Sequence, residues 1–467
     1  MIVSKPSISN IIGRRLDPMF YNPKYWKIIT SIKSISHQSL GSVVQFATET
    51  WNQRDYFEDS FPYIEIGAID TITGKIINVE NVLKKEAPSR AKKIVRQNDI
   101  IISTTRPNRG AISYLTNIES FCIASTGFAV IRDIKINNIS KEYLYIVLRL
   151  SYSLEQMIQR SSGGNYPAIT EDELKKIVIP IPPMQQQKDI IDLYNTELNN
   201  KLQKDKEAKE LLDSIDNVVT QYLGIKIPKK SDFSETRYLT PISQLIGERY
   251  DPYFHNPYFE KAFAKLAKSK YPLKKLGDIS ALITSGITPK AGGDAYTDAQ
   301  SGIAFIRSGD IDINGNINFD ELLYIKPEVH NKQMKSSKVY NNDIMIAIVG
   351  ATIGQVGIYH SDKEANINQA IALVRLKDGY DPEYVKELIK SSIGQLNLDR
   401  LKRPVARANI NLEEIASILI PIPEKVEIQT AIANEIQNIR VKAETIRNEG
   451  SAILENAKER IEKMILD

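Results

Sequence analysis

The chain is predicted to fold as a mixed α/β (α+β) protein. Two repeated β-rich globules with helices are expected, separated by two long antiparallel coiled-coil helices. Three observations carry this prediction. An Ile-Pro-Ile-Pro signal occurs twice, at residues 179–182 and 420–423. A long stretch with apolar residues at heptad spacing follows each signal. Ahead of each lie short β-branched and aromatic runs bounded by Gly, Asn, Asp and Ser, the pattern of strands. Proline fixes φ and removes a donor, so each Pro pair ends the preceding ladder and forces an extended exit.

Identical punctuation about half a chain apart predicts two copies of one unit. The run Gly13-Arg14-Arg15-Leu16-Asp17-Pro18 returns as Gly247-Glu248-Arg249-Tyr250-Asp251-Pro252, at an offset of 234. Asn98-Asp99-Ile100 returns as Asn342-Asp343-Ile344 at 244, Glu142-Tyr143-Leu144 as Glu383-Tyr384-Val385 at 241, and Pro180 as Pro421 at 241. Order is kept while the offset drifts, as loop insertions produce. The predicted boundaries are a first globule at 1–183, a central helix at 184–224, a second globule at 225–423 and a C-terminal helix at 424–467.

Composition narrows the class. At 467 residues, 42% hydrophobic and 25% charged, the chain is long enough for two or three domains with real cores. A net charge of +4 permits a nucleic-acid partner without requiring one. The single cysteine, Cys122, excludes an intramolecular disulfide and any Cys-rich metal site. The first residues lack the apolar core of a signal peptide, and no apolar run of roughly 18 residues occurs. A soluble cytoplasmic protein, without membrane contact, is expected.

In chain order, residues 1–38 carry Met19, Phe20, Tyr21, Tyr25 and Trp26 around Asp-Pro and Asn-Pro turns. They form either a clasp onto the domain, the reading favoured here, or an aromatic platform. Strands are expected at Tyr63–Ile66, Ile100–Ile102 and Phe128–Ile131, and a helix from Lys141 to Gln159. Thr170-x-x-Glu173 then caps a short helix ahead of a strand from Leu174 to Ile181. The second copy repeats this with strands over Leu276–Val374 and a helix over Pro382–Asp399. Asn411-x-x-Glu414 is its cap, and its strand runs from Ile415 to Ile422. In the last helix Ile432, Ile436, Ile439, Ala443, Ile446, Gly450, Ile453 and Ala457 form a heptad seam. The central helix offers Ile191, Tyr194 and Leu198, then Ala208, Leu212, Ile215, Val219 and Tyr222, with a polar break at Lys201 and Asp205. Each helix would run about 60 Å at 1.5 Å per residue. Antiparallel pairing within the chain is the simpler arrangement; pairing with another subunit is the alternative.

The motifs of common chemistries are missing. There is no P-loop, no G-x-G-x-x-G opening a helix and no G-x-S-x-G elbow. His37, His255, His330 and His360 stand at no metal-ligand spacing to one another or to Cys122, so no metal and no catalytic residue is expected. Glu65 and Asp99 or Asp343 could be imagined as nuclease ligands. Asn-Asp before a buried strand is a common turn, however, and Arg307 stands opposite Glu65.

Basic and amide residues gather in the loops, and these are the side chains that contact phosphates and read base edges. In the first globule the candidate DNA contacts are Arg90, Lys92, Lys93, Arg106, Asn108, Arg109, Arg160, Asn165 and Tyr166. In the second they are Thr284, Ser285, Lys290, Arg307, Ser308, Lys335, Arg400, Lys402, Arg403 and Arg407. Individually most such cations are solvated surface. The copies differ most in these loops while agreeing in their frames: Arg106-Pro107-Asn108-Arg109-Gly110 lies opposite Gly350-Ala351-Thr352-Ile353-Gly354, expected as a tight turn rather than a phosphate cradle. Two readers of two different short sequences would need alike scaffolds with unlike loops.

With its duplicated Arg-x-Asp-Pro opening, its Ile-Pro-Ile-Pro exits and Gly350–Gly354 after an Asn-Asp strand, the chain resembles the specificity (S) subunits of type I restriction–modification systems over essentially its whole length. The first copy departs from that pattern at the turn, with Arg106–Gly110. The resemblance implies two target-recognition domains, each reading one half of a split double-stranded DNA site, with the long helices as spacer. It implies docking of two methyltransferase subunits and of restriction motor-nuclease subunits. S-adenosylmethionine, ATP and magnesium would be used by those partners, and no cofactor would be bound by this chain. The recognition subunit of a related bifunctional, type II-like restriction–methylation enzyme has the same build. A coiled-coil scaffold that binds no DNA remains as a reading from another class.

Overall fold

The computed structural model describes residues 17–466 apart from 57, 119–120, 165, 231–236, 248, 291–292, 313, 320–321 and 404–407. The predicted repeat elements Gly13–Leu16 and Glu248 therefore lie outside the described residues, as do the candidate contacts Asn165 and Arg407. The chain divides into two compact units, Met1–Lys206 with Ile446–Asp467, and Glu207–Thr445. The division runs through both long helices.

In the first unit Asp17 accepts from Met19 N at 3.0 Å and Asn22 from Lys24 N at 3.1 Å, starting a 3-10 turn and then helix α1 (Pro23–Lys33). Phe20, Tyr21 and Tyr25 are buried, and Gln159 Nε2 donates to the Phe20 carbonyl at 2.9 Å. The aromatic opening is a clasp, from which exposed Met19 stands apart. Strand β1 (His37–Ser39) leads through the single turn α2 (Leu40–Val43) into β2 (Val44–Phe46). Two four-stranded sheets are completed by β3 (Ser60–Ile64), β4 (Glu80–Leu83), β5 (Ala91–Val95), β6 (Ile100–Ser103), β7 (Ile112–Tyr114), β8 (Cys122–Ser125) and β9 (Phe128–Ile134). One sheet is antiparallel in the order β2-β9-β6-β7; the other runs β4-β3-β8-β5 with β3 and β8 parallel. The triple isoleucine of β6 is explained by burial on both faces. Ile100 and Ile102 join the core under the helices, while Ile101 joins the core shared by the two sheets. Strand β3 stops at Ile64 instead of reaching Ile66, because Glu65 and Ile66 turn into a 3-10 segment.

The single helix expected over Lys141–Gln159 is two, α3 (Lys141–Leu148) and α4 (Ser151–Arg160). Leu150 is extended at φ −76°, ψ 156°. The break places the buried Arg149 guanidinium against the carbonyls of Ile72 and Ile112, at 2.7 and 2.9 Å. It also frees the start of α4, where Ser151 N and Oγ donate to the Glu462 carboxylate at 2.6 and 2.9 Å. The expected strand from Leu174 is likewise shorter. Thr170 accepts from Glu173 N at 3.3 Å and caps α5 (Glu171–Leu174). Only β10 (Val178–Pro180) is extended, antiparallel to β1. Helix α6 (Met184–Leu223) follows.

The second unit repeats the plan. Asn256 caps α7 (Pro257–Leu266), accepting from Tyr258 N at 2.9 Å. Then come β11 (Leu273–Lys275), α8 (Leu276–Ile279), β12 (Ser280–Ser285), β13 (Tyr296–Thr297), β14 (Ile303–Ile306), β15 (Leu323–Ile325) and α9 (Pro327–Asn331). The sheets close with β16 (Lys338–Val339), β17 (Ile344–Ala347), β18 (Val356–Ile358), β19 (Ala365–Ile367) and β20 (Ile371–Leu376). Their orders, β12-β20-β17-β18 and β13-β15-β14-β19-β16, copy the first unit with β13 added at an edge. The helix expected over Pro382–Asp399 again splits, into α10 (Pro382–Lys390) and α11 (Ser392–Leu401). Ser391, at ψ 170°, breaks it, and Ser392 N donates to Asp216 at 2.7 Å. Asn411 and Glu414 form a full capping box on α12 (Leu412–Ala416), so the expected strand from Ile415 reduces to β21 (Leu419–Pro421) before α13 (Val426–Leu466).

The long helices pair with each other, antiparallel, inside each unit. In the first, Gln186 Nε2 donates to the Met464 carbonyl and Lys204 pairs with Glu449 at 2.7 Å. In the second, the Tyr222 hydroxyl donates to Glu435. The seam differs from the expected one at four places. Leu454 rather than Ile453 is buried, Leu223 rather than Tyr222, and Ile190 rather than Ile191. Lys201 does not break the seam but sits in it, 5% exposed, with its ammonium paired to Asp205 one turn on. Gly450 makes the room: a Cβ there would stand 2.9 Å from Lys201 Cδ.

Candidate nucleic-acid interface

Strand directions gather one set of loops at one end of the first unit's sheets. Ser103 at the end of β6 pairs with Phe128 at the start of β9, and the ends of parallel β3 and β8 lie side by side. Ala91, which opens β5, pairs with Ser125. Backbone bonds stitch these loops together. Thr126 N donates to Arg90 O at 2.8 Å, Thr104 N to Gly127 O at 2.8 Å, and Arg106 N to Pro167 O at 2.7 Å. Arg90, Arg106 and Tyr166 are thereby brought to one rim. Lys92 and Lys93 lie on the adjoining edge of β5, half-buried, with Lys93 bridged to Thr50. Asn108 is exposed in the turn after Arg106. The Arg106 guanidinium lies over the Tyr166 ring, 4.2 Å from its centroid.

The second unit has the same end. Ser285 closes β12 opposite Ala372, Ile306 and Ile367 close the parallel pair, and Lys338 opens β16 beside Asn366. Ser308 and Lys335 follow or precede these strand ends, Thr284 and Ser285 lie on β12 itself, and Lys290 is exposed beyond it. Gly286 packs so closely that a Cβ would meet the Ile367 carbonyl at 1.8 Å, which ties the β12 exit to the β19 end. Gly350 N donates to Ala408 O at 3.0 Å, the counterpart of the Arg106 bond.

Four other candidates, Arg160, Arg307, Arg400 and Arg403, have partners within the protein. Arg160 pairs with Glu173 at 3.0 Å and lies against the Phe20 ring. Arg307 is clamped to Asp310 by bonds of 2.7 and 3.0 Å. Arg400 stacks 4.0 Å from the Phe254 ring and bonds its carbonyl. Arg403 holds the Asn409 carbonyl and Glu414, and Lys402 is half-buried just after α11. Arg109 is exposed but turned away from Arg106, onto a cleft of about 350 Å³ shared with Thr71, Arg149, Glu455, Glu459 and Glu462. Asp99 and Asp343 are buried partners of Arg132 and Arg375, at 2.8 and 2.6 Å, so each Asn-Asp turn closes an ion pair with the neighbouring strand. Burial dominates for Asp99 and raises its pKa. Among the described residues no three His, Cys, Asp or Glu side chains converge on a metal site, and no helix is long and apolar enough to cross a membrane.

Sequence reasoning missed a duplicated amide clamp. Buried Gln187 accepts from Ser140 N at 3.0 Å and donates to Asn138 and Pro182 carbonyls; buried Gln429 accepts from Asp381 N at 2.9 Å and donates to Pro423 O. Each fixes the start of a long helix to the proline exit behind it. Gln156 and Asn397 similarly extend β10 and β21 with paired amide bonds. Matching the copies position by position would have found both, at offsets of 242 and 241.

One family comparison agrees with this duplicated build. The type I restriction modification DNA specificity domain matches twice, over residues 23–211 and 268–455. The type I restriction enzyme EcoBI specificity subunit of Escherichia coli is 32% identical over 155 residues, 32% of this chain and 31% of that protein. The HindI specificity subunit of Haemophilus influenzae is 29% identical over 148 residues, 31% of this chain and 32% of that protein. These matches span about a third of the length of each relative. A structure described for assembly and conformational transition of the type I R-M system aligns over 92% of this chain and 96% of its own, at 19% identity and a TM-score of 0.46. The HsdS subunit from Thermoanaerobacter tengcongensis aligns over the same shares, at 20% identity and a TM-score of 0.36. With both halves matched, the chain belongs to the type I restriction modification DNA specificity domain family.

Proposed function

We propose that this chain is the non-catalytic specificity subunit of a type I restriction–modification complex. It recognises a bipartite double-stranded DNA site, one half by each unit, and directs partner methyltransferase and motor-nuclease subunits to it. S-adenosylmethionine, ATP and magnesium belong to those partners in this reading, which places the complex in the cytoplasm. One observation carries it: two copies of a DNA specificity domain share a frame and differ in the loops at one end of their sheets. In the first unit Arg90, Lys92, Lys93, Arg106, Asn108 and Tyr166 would face DNA; in the second Thr284, Ser285, Lys290, Ser308 and Lys335 would. A half-site read by one small domain has limited discrimination, about 1–3 kcal/mol per base pair. Joining two readers raises effective concentration and makes the gap between half-sites a property of the joint.

The test is co-expression with a type I methyltransferase subunit from the same genome, followed by mapping of methylated bases across the host genome. Two short sequences around a fixed unspecified gap are expected. A stable complex that methylates without any split motif would overturn the proposal and favour a scaffold.

A further inference from the structure

The turns after β6 and β17 are one turn built from different residues. In the second unit Gly350 and Gly354 bound it, at φ +73° and +95°. In the first, Arg106 and Gly110 hold the same places, at φ +48° and +68°. Each contains a 3-10 segment, Gly350–Thr352 beginning at the first glycine and Pro107–Arg109 just after Arg106. Each is zipped to a later loop by an equivalent bridge, Val349 to Asn409 or Thr105 to Ala168. Glycine adopts a left-handed φ without penalty, whereas an L side chain there crowds its own backbone. Among the described residues three non-glycines have positive φ, and the other two are Asn98 and Asn342, of a type that tolerates it. Arginine therefore stands where the frame asks for glycine and where the sister copy has one. Non-glycine residues held in such conformations cluster at functional sites.

The side chain gives the function. Its guanidinium lies over the ring of Tyr166, a tyrosine left 71% exposed, in the loop zipped to the turn. Stacking fixes the plane of a guanidinium and leaves its N–H edge available. That edge matches O6 and N7 of guanine in the major groove, the commonest specific side-chain contact with DNA. We infer that Arg106, oriented by Tyr166, is the residue by which the first unit selects a guanine in its half-site. The inference rests on the DNA-reading function proposed above.

Arg106→Gly installs the residue the second unit already uses, so the fold should persist, with an unchanged circular dichroism spectrum. The full-length chain, in complex with its co-expressed methyltransferase subunit, would select from duplexes randomised across both half-sites. The wild type should demand guanine at one position that Arg106→Gly releases, by between about fivefold and a hundredfold. All other positions should be unchanged. Arg106→Lys, which keeps the charge without the fork, should release it too, and Tyr166→Leu should weaken it. If Arg106→Gly keeps every preference, or loses affinity equally for all sequences, the inference fails while DNA reading stands. If the wild type selects no sequence, both fail.

Discussion

Lys390 shows how a single side chain can report on its surroundings. Burial, with the Arg440 guanidinium next in effect, lowers its pKa from 10.5 to about 8. The folded state then disfavours the charged form, a penalty fully present below pH 8 that fades as pH rises toward 10.5. Between pH 8 and 10 the wild type should gain stability relative to Lys390→Met, on the order of 1 kcal/mol per pH unit, in urea unfolding at stepped pH. A flat difference would remove Lys390 from the account. The amide clamps offer a second check. Gln187→Ala or Gln429→Ala should each cost about 1 kcal/mol in the same assay, because each leaves a part-buried backbone donor unpaired. Residue roles were the least legible part of the sequence. Arg106, Arg160 and Arg400 look alike as letters, and only the partners brought by distant segments tell them apart: exposed Tyr166 for Arg106, Glu173 for Arg160 and the buried Phe254 for Arg400. The left-handed turn was half legible, since Gly350 opposite Arg106 was already visible in the offset between copies.

The long helices are governed by what lies opposite each seam position. Lys201 and Gly450 fill one layer together, a bulky cation against an absent side chain. Gly450→Leu should overpack it and lower stability by about 2 kcal/mol, and Lys201→Ala in the same chain should recover at least half. A polar residue in such a seam specifies register, so Lys201→Met should melt higher while tolerating more than one pairing, visible as broadened methyl resonances along α13. Both helices were legible from heptad spacing, while their antiparallel sense was expected only as the simpler arrangement for two helices of one chain. The shift from Ile453 to Leu454 was not, because a straight helix drifts against a seven-residue repeat. The two split helices were hidden for another reason. Apolar periodicity runs on through Leu150 and Ile389, while the breaks are set by acceptors from elsewhere, Glu462 and Asp216. Glu462→Ala should loosen the α4 start and raise amide exchange at Ser151, and Glu462→Gln, which keeps an acceptor, should do so less.

For the whole molecule the proposed function makes a metric prediction. Removing seven residues from α6 and seven from the facing part of α13 shortens each by about 10 Å. The gap in the recognised DNA should then contract by about 3 base pairs at 3.4 Å each, read from the methylated motif; an unchanged gap would mean that the helices do not set it. The doubling of the globule was legible, because proline exits and Asn-Asp turns survive in both halves while loops diverge. The sheet orders were not, since β3 and β8 or β14 and β19 pair across tens of residues without any local mark. Beside each pair of sheets is a two-stranded ribbon in which the strand that enters the unit pairs with the strand that leaves it, His37 with Pro180 and Leu273 with Pro421. Everything between lies on a closed detour whose two ends are neighbours. A cassette of different internal length, bringing a different set of loops, needs to satisfy those two adjacent joints and keep the bonds its helices make to the long helices, such as Ser151 to Glu462 and Ser392 to Asp216. Recombination between relatives at these ribbons would thus exchange one half of a specificity and leave the other, and both helices, as they were.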